Sequence, residues 1–159
     1  SGTSGSSGTS GLLTLTGTAD NGVITLNGTA PNGTVESNLV FDGSVLSINA
    51  YLETTSNRIE VLDTQSGTLV DGLSGTTYGG VIIDYIAYTT DRNNQRTGTI
   101  RVSANSTTAL LAESSTTDIG DTDAIVFNTT AAGGDFDVTV DNNTGSTIRV
   151  VFHTVRLKV

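Results

Sequence analysis

The sequence predicts an all-β protein, with an antiparallel β-sandwich of jelly-roll type at its C-terminal end. Three observations lead to this fold class. Apolar residues alternate with Ser and Thr in short runs such as LLTLT and GVITL. Gly, Asn and Asp close most of these runs, and these residues are typical of turns. No window carries apolar residues at helical spacing over the length of a helix.

The composition leaves little side-chain volume for a deep core. Apolar residues make up 35% of the 159 residues, aromatic residues make up 5%, and 19 positions are glycine. A core of this kind is marginal when a small domain folds alone. We therefore expect the chain to complete its burial by pairing with copies of itself.

The charge and the missing residue types exclude several classes of function. The net charge is −9, and only seven residues are Lys or Arg. A surface of this sign repels phosphate backbones, so we expect no nucleic-acid partner. No run of about 18 apolar residues is present, so we expect no membrane insertion. The absence of Cys excludes disulfides and thiolate chemistry within the chain.

Residues 1–11 form a glycine-rich tract in which Ser and Thr separate the glycines. The period of three suits an extended helix in which three parallel chains bring glycine to a common axis. A flexible linker of the same composition is the alternative, although such a linker needs no strict period. The glycines that would lie at the axis are Gly2, Gly5, Gly8 and Gly11.

Short strands and turns are predicted over residues 12–80. The segments 13–22 and 24–33 match at seven of ten positions, which indicates two equivalent strand-plus-turn units. The segment 37–53 reads as a hairpin with a tight turn at Asp42 and Gly43. Residues 65–80 are rich in turn residues and lack sustained periodicity. We therefore place the boundary of the sandwich domain after this stretch, so that the domain covers 81–159.

Six strand-like runs follow in this domain, and two of them carry extra information. The run VIIDYIAY is apolar on both alternating faces except at Asp84, as expected for a central strand covered on both sides. In the last run, STIRVVFHTVRLKV, the apolar positions change parity near Phe152. This change indicates either a β-bulge or a second packing surface, such as a subunit interface.

A polar loop after VIIDYIAY is the candidate for receptor binding. Aromatic rings, planar amides and guanidinium groups together can match the hydroxyls and the flat face of a sugar. The same residues also suit an ordinary polar hairpin. They are Tyr85, Tyr88, Arg92, Asn93, Asn94, Gln95 and Arg96.

Metal-binding candidates are sparse, and no catalytic set is apparent. Asp118, Asp121 and Asp123 lie in one turn, where carboxylates could hold a structural Ca²⁺ or could cap the turn's own amides. His153 is the single histidine and lies within a strand; on a threefold axis it would occur three times and form a metal set. A nucleophile paired with a base is not identifiable, so we expect no enzyme and no other cofactor.

Several motifs resemble bacteriophage tail fibres. NLVFDGSVLSI is similar to a short element that recurs in the shafts of these fibres. The stretch from IDYIAYTTDRNNQRTGTIRVSANSTT through STTDIGDTDAIVFNTTAAGGDFDVTV to RLKV resembles C-terminal domains of phage fibre proteins. The tract GTSGSSG is of a kind found before such domains. The resemblance implies a homotrimeric fibre end, a shaft-like region over 12–80, and a knob that attaches to a carbohydrate or protein receptor on the host.

The sequence thus predicts a viral structural and adhesion protein at the virion surface, outside the cell. The alternative is a processed subunit of a bacterial or archaeal extracellular filament or surface layer, assembled by strand exchange. A secreted polysaccharide-degrading enzyme is the third class. A trimer with a free tip favours the fibre, an open-ended polymer favours the filament, and release of reducing sugar would be required by the enzyme.

Overall fold

The computed structural model describes residues 14–16, 22–26, 32–49 and 52–159. The described residues form twelve strands and no helix, which confirms the all-β class. They accordingly include no helix of the length and hydrophobicity that a membrane span requires. The chain divides into two compact units, residues 1–49 and 50–159. The glycine-rich tract 1–11 and its predicted axis glycines lie outside the described residues.

The first unit is a small sheet built around its longest strand. Its strands are β1 (Thr14–Thr16), β2 (Gly22–Leu26), β3 (Asn32–Phe41) and β4 (Leu46–Ile48). β1 pairs parallel with β3, whereas β2 and β4 pair antiparallel with it. Leu15 and Leu26, which occupy equivalent positions of the sequence repeat, both pair with Gly33. The two copies of the repeat therefore supply the two strands that flank the start of β3.

The hairpin between β3 and β4 has the predicted turn. Gly43 has a φ of 98°, a conformation that glycine adopts readily. The Oδ1 atom of Asp42 accepts hydrogen bonds from the backbone N–H of Ser44 at 2.9 Å and of Val45 at 2.7 Å. These two bonds hold the pKa of Asp42 below its ordinary value, and the bond from Val45 has the larger effect. The carboxylate thus satisfies the turn's backbone, as Asp commonly does.

The second unit contains eight strands in two antiparallel sheets. The strands are β5 (Leu52–Val61), β6 (Gln65–Ser74), β7 (Tyr78–Thr89), β8 (Gln95–Ala104), β9 (Ala109–Ser115), β10 (Ile125–Ala132), β11 (Asp135–Asn142) and β12 (Ile148–Lys158). One sheet has the order β5-β12-β7-β8-β9, and the other has the order β10-β11-β6. Residues from both sheets form one buried apolar cluster, including Ile83, Val150, Phe136 and Val138. The predicted antiparallel sandwich is confirmed.

The sandwich includes two strands that precede the boundary expected from the sequence. β5 pairs with β12, and β6 pairs with β11, so both belong to the unit that starts at Ala50 rather than at residue 81. The turn-rich stretch 65–80 carries β6, the following turn and the start of β7. The sequence pattern of this stretch did not indicate a strand, because β6 is rich in glycine and polar residues and has only a few apolar residues that face the core.

The last strand has no bulge near Phe152. Its pairing with β5 is continuous from Ile148 to Leu157, and its pairing with β7 shifts only between Leu157 and Lys158. Ile148, Val150 and Phe152 face the core, whereas Val151 lies on the opposite side of the sheet. The prediction of a bulge from the change of parity is therefore wrong. The strand instead carries apolar residues on both faces.

Candidate functional site

The outward side of the five-stranded sheet is the most distinctive surface of the second unit. We call this side the open face, because the three-stranded sheet packs only on the other side. Side chains of a strand point alternately to the two faces, so the outward positions follow from the buried ones. The apolar stripe of the open face consists of Ile82, Ile86, Val151, Val155 and Leu157. Val151 and Leu157 are 36% and 41% exposed, respectively.

A row of polar side chains crosses this stripe. His153 pairs with Ser56 on β5 and with Asp84 on β7. The imidazole Nδ1 lies 3.0 Å from Ser56 Oγ, and Nε2 lies 2.9 Å from Thr54 Oγ1. A neutral imidazole donates through one nitrogen and accepts through the other, so the two hydroxyls hold the ring in a fixed orientation.

Asp84 continues the row on the central strand. The Thr99 hydroxyl donates to Asp84 Oδ1 at 2.6 Å. The other carboxylate oxygen of Asp84 has no donor among the residues that the structure describes. The row therefore presents one carboxylate with a free acceptor beside an oriented imidazole.

The open face differs in charge from the rest of the chain. It carries three of the seven basic residues, Arg58, Arg101 and Arg149. Asp84 and Glu60 are the acidic residues that its strands place on this side. Arg149 Nε pairs with Glu60 Oε1 at 2.7 Å. Arg58 and Arg101 have no carboxylate partner within the described residues. The face thus carries no excess of negative charge in a chain of net charge −9.

Two of the predicted receptor-binding residues lie inside the sandwich instead. Tyr85 is 3% exposed, and its ring packs on Phe127 with centroids 4.6 Å apart. Its hydroxyl donates to Glu113, and burial, reinforced by this bond, raises the pKa of Tyr85. Arg96 Nη2 donates to the backbone oxygen of Ile125 at 2.7 Å and lies 3.4 Å from Glu113. Both side chains are engaged between the sheets, because their strand positions face inward.

The other predicted receptor residues lie in the turn between β7 and β8 or at the ends of these two strands. Arg92 has a φ of 61°, and its guanidinium carbon lies 5.4 Å from the centroid of the Tyr88 ring. Asn93 Nδ2 donates to Asp91 Oδ2 at 2.7 Å. Asn94 points elsewhere, since its Oδ1 accepts from the Asp121 amide at 3.0 Å. The structure therefore brings together a stacked Tyr88 and Arg92 with Asn93 beside them.

Gln95 and the acidic turn are joined to this region by backbone contacts. The backbone N–H of Gln95 donates to Ile119 O at 2.8 Å, and that of Ile119 donates to Gln95 O at 2.9 Å. Asp118 accepts from the Thr122 hydroxyl, and Asp121 Oδ1 accepts from the Asp123 amide at 3.1 Å. No group of three or more metal-ligating side chains occurs among the described residues. The described structure of this turn thus provides no ready set of calcium ligands.

A charged cluster between the two sheets was not predicted from the sequence. Arg156 on β12 donates to both carboxylate oxygens of Asp71 on β6, at 2.8 and 3.1 Å. Glu53 accepts from Lys158 and, at 2.7 Å, from the Tyr78 hydroxyl. Burial acts to raise the pKa of Glu53, but the bonds from Lys158 and Tyr78 outweigh it and lower the pKa. The partners are too far apart in sequence for their pairing to be recognised from the sequence.

Comparisons with known proteins find weak likenesses. No family model and no curated protein matches the chain. A tailspike protein of Acinetobacter baumannii phage AM24 is similar to 68% of this chain, at 8% identity and a TM-score of 0.40. Tailspike gp49 of A. baumannii bacteriophage Fri1, a capsular polysaccharide depolymerase, is similar to 68%, at 11% identity and a TM-score of 0.34. The matches cover 26% and 19% of those chains. Because both scores are low, the function must be argued from this chain's own residues.

Proposed function

We propose that this chain is a structural and adhesion protein, the C-terminal part of a homotrimeric phage fibre. One observation carries the proposal: residues 22–25 and 33–49 of the first unit form almost no core among themselves. Among residues 22–25 and 33–49, Gly33 alone is buried. Ile24, Phe41 and Ile48 are 48%, 51% and 42% exposed, respectively. Apolar strand residues left in water by one chain are stabilised when other chains cover them, so the unit suits a shaft made from several copies.

The hairpin of the first unit supports the same proposal. NLVFDGSVLSI, which resembles a fibre-shaft element, forms the end of β3, the turn capped by Asp42, and β4. A two-stranded hairpin is marginal in water unless a further surface packs on it. Three copies around one axis would provide that surface through their own Phe41 and Ile48 side chains.

Receptor contact is assigned to the turn between β7 and β8. The stacked pair of Tyr88 and Arg92 provides a flat surface with donors at its edge, and Asn93 adds an amide. Such a set suits a sugar ring of a host-surface glycan, and a protein receptor is the alternative ligand. Three equivalent turns would turn weak single contacts into avidity without any chemical step.

The first test is the mass of the whole chain in solution by light scattering. A value near three times 16.3 kDa supports the fibre. An open-ended polymer would favour the filament subunit, and a monomer would contradict the proposal. Repeating the measurement on residues 12–159 shows whether the glycine-rich tract is required for assembly.

The second test is binding of the whole chain to an array of bacterial capsular and O-antigen glycans. We expect Arg92→Ala to weaken binding about tenfold or more, because three sites lose the same contact at once. Ser106→Ala, at the exposed turn between β8 and β9, is the control and should bind as the wild type does. Release of reducing sugar from a bound glycan would instead support the polysaccharide-degrading enzyme.

A further inference from the structure

We propose that the open face is the surface through which the sandwich domains of three copies meet. The occupant of the face is therefore a second copy of this chain, and its outward stripe packs on the same stripe of its neighbours. The inference rests on the proposed function, because it identifies the partner surface of the proposed trimer. It also explains why the central strand β7 and its neighbour β12 are apolar on both sides.

The composition of the stripe is the first argument. Ile82, Ile86, Val151 and Val155 are aliphatic, and they form two direct pairs across β7 and β12, Ile82 with Val155 and Ile86 with Val151. Solvated sheet faces normally carry polar residues, whereas faces covered on both sides carry continuous apolar runs. In the described part of the second unit, the three-stranded sheet covers only the inner side. The outer side therefore has the composition of a covered face, although no described part of this unit packs on it.

The size of the face is the second argument. Five strands spaced about 4.8 Å apart, each running about 33 Å over ten residues, cover roughly 800 Å². A specific protein interface buries about 800 Å² on each partner. The open face is thus comparable in size to one side of such an interface.

Charge is the third argument and selects a copy of the chain over an unrelated partner. Two chains of net charge −9 repel each other through most of their surface. The open face carries Arg58 and Arg101 without carboxylate partners, and Asp84 with a free acceptor oxygen. Each copy therefore presents both members of an ion pair that it does not form internally. Contact between like faces lets the arginines of one copy pair with Asp84 of the next.

The test uses the whole chain and a pair of matched valines. Val151 is an outward residue of the open face, whereas Val126, 44% exposed, is an outward residue of the three-stranded sheet. We expect Val151→Glu to reduce the solution mass from three copies to one, because a buried unpaired charge is placed at the contact. Val126→Glu should remain a trimer. Circular dichroism checks that both variants keep their β structure.

A second measurement keeps the proposal testable if Val151→Glu fails to fold. The chain has no Cys, so a single introduced cysteine is the only thiol. Val151→Cys should cross-link between copies with a short bismaleimide, and Val126→Cys should not. A Val151→Glu trimer together with no cross-linking of Val151→Cys would overturn the open-face interface and leave the trimeric fibre standing. A monomeric wild-type chain would overturn both.

Discussion

Tyr78 shows how a single side chain depends on the charged cluster between the sheets. Its hydroxyl donates to Glu53, which also accepts from Lys158, while Arg156 links the same end of β12 to Asp71. Burial, and then the bond to Glu53, raises the pKa of Tyr78 from 10.0 to about 12. The folded protein therefore holds the neutral phenol over a pH range in which the unfolded chain loses its proton.

This pKa shift predicts a loss of stability in alkaline solution. The contribution is fully present below pH 10.0 and is lost as the pH rises through about 12, because the unfolded state then binds fewer protons than the folded state. Thermal melting of the wild-type chain at pH 9 to 12 measures the loss, and Tyr78→Phe should flatten the decline. In an absorbance titration the phenolate step near pH 12 should diminish in Tyr78→Phe. A titration that is identical in the two proteins would contradict the assignment.

Turns show how far local sequence determines the strands. Gly133 and Gly134 join β10 to β11 as a two-residue loop, since Ala132 pairs with Asp135. Their φ angles are 66° and 95°, and positive φ at both central residues is the mark of a type I′ hairpin turn. Two adjacent glycines between strand-like runs, as in AAGG, are typical of such a turn. The positive φ angles are required only at these two residues, so the local sequence is enough to predict the turn.

A pair of substitutions at Gly133 separates backbone strain from packing. A Cβ atom added at Gly133 would meet nothing within 4 Å, so any cost comes from the positive φ. We expect Gly133→Val to destabilise the protein by about 1–2 kcal/mol, because β-branched residues avoid this conformation. Gly133→Asn should destabilise the protein by only about a few tenths of that amount, since Asn tolerates a positive φ. Thermal melting compares the two, and equal midpoints would contradict the explanation.

The two units differ in how much stability each has as a single chain. The sandwich has one apolar cluster from both of its sheets, and buried Asn142 donates to the backbone oxygens of Val61 and Ser146 at 2.9 and 2.8 Å. Among residues 22–25 and 33–49 of the first unit, only Gly33 is buried. We therefore expect residues 50–159 to fold independently, and the first unit to need further chains.

Excision of the sandwich tests this difference. We expect residues 50–159 alone to melt in one cooperative transition, because the buried apolar cluster lies entirely within this segment. Residues 1–49 alone should show no such transition. Circular dichroism on heating follows both fragments. Gradual, non-cooperative melting of 50–159 would show that its core is insufficient.

Local patterns were enough to predict the all-β class, the hairpin at Asp42 and most strands of residues 81–159. These features depend on alternation and turn residues within a few positions, so they can be read from one stretch of chain. The tertiary structure alone decided that β5 and β6 join the sandwich, that Tyr85 and Arg96 face inward, and that Arg156 meets Asp71. It also decided which side of β7 and β12 forms the core. These outcomes depend on the pairing of distant strands, since a strand that is apolar on both faces does not itself specify which face is covered.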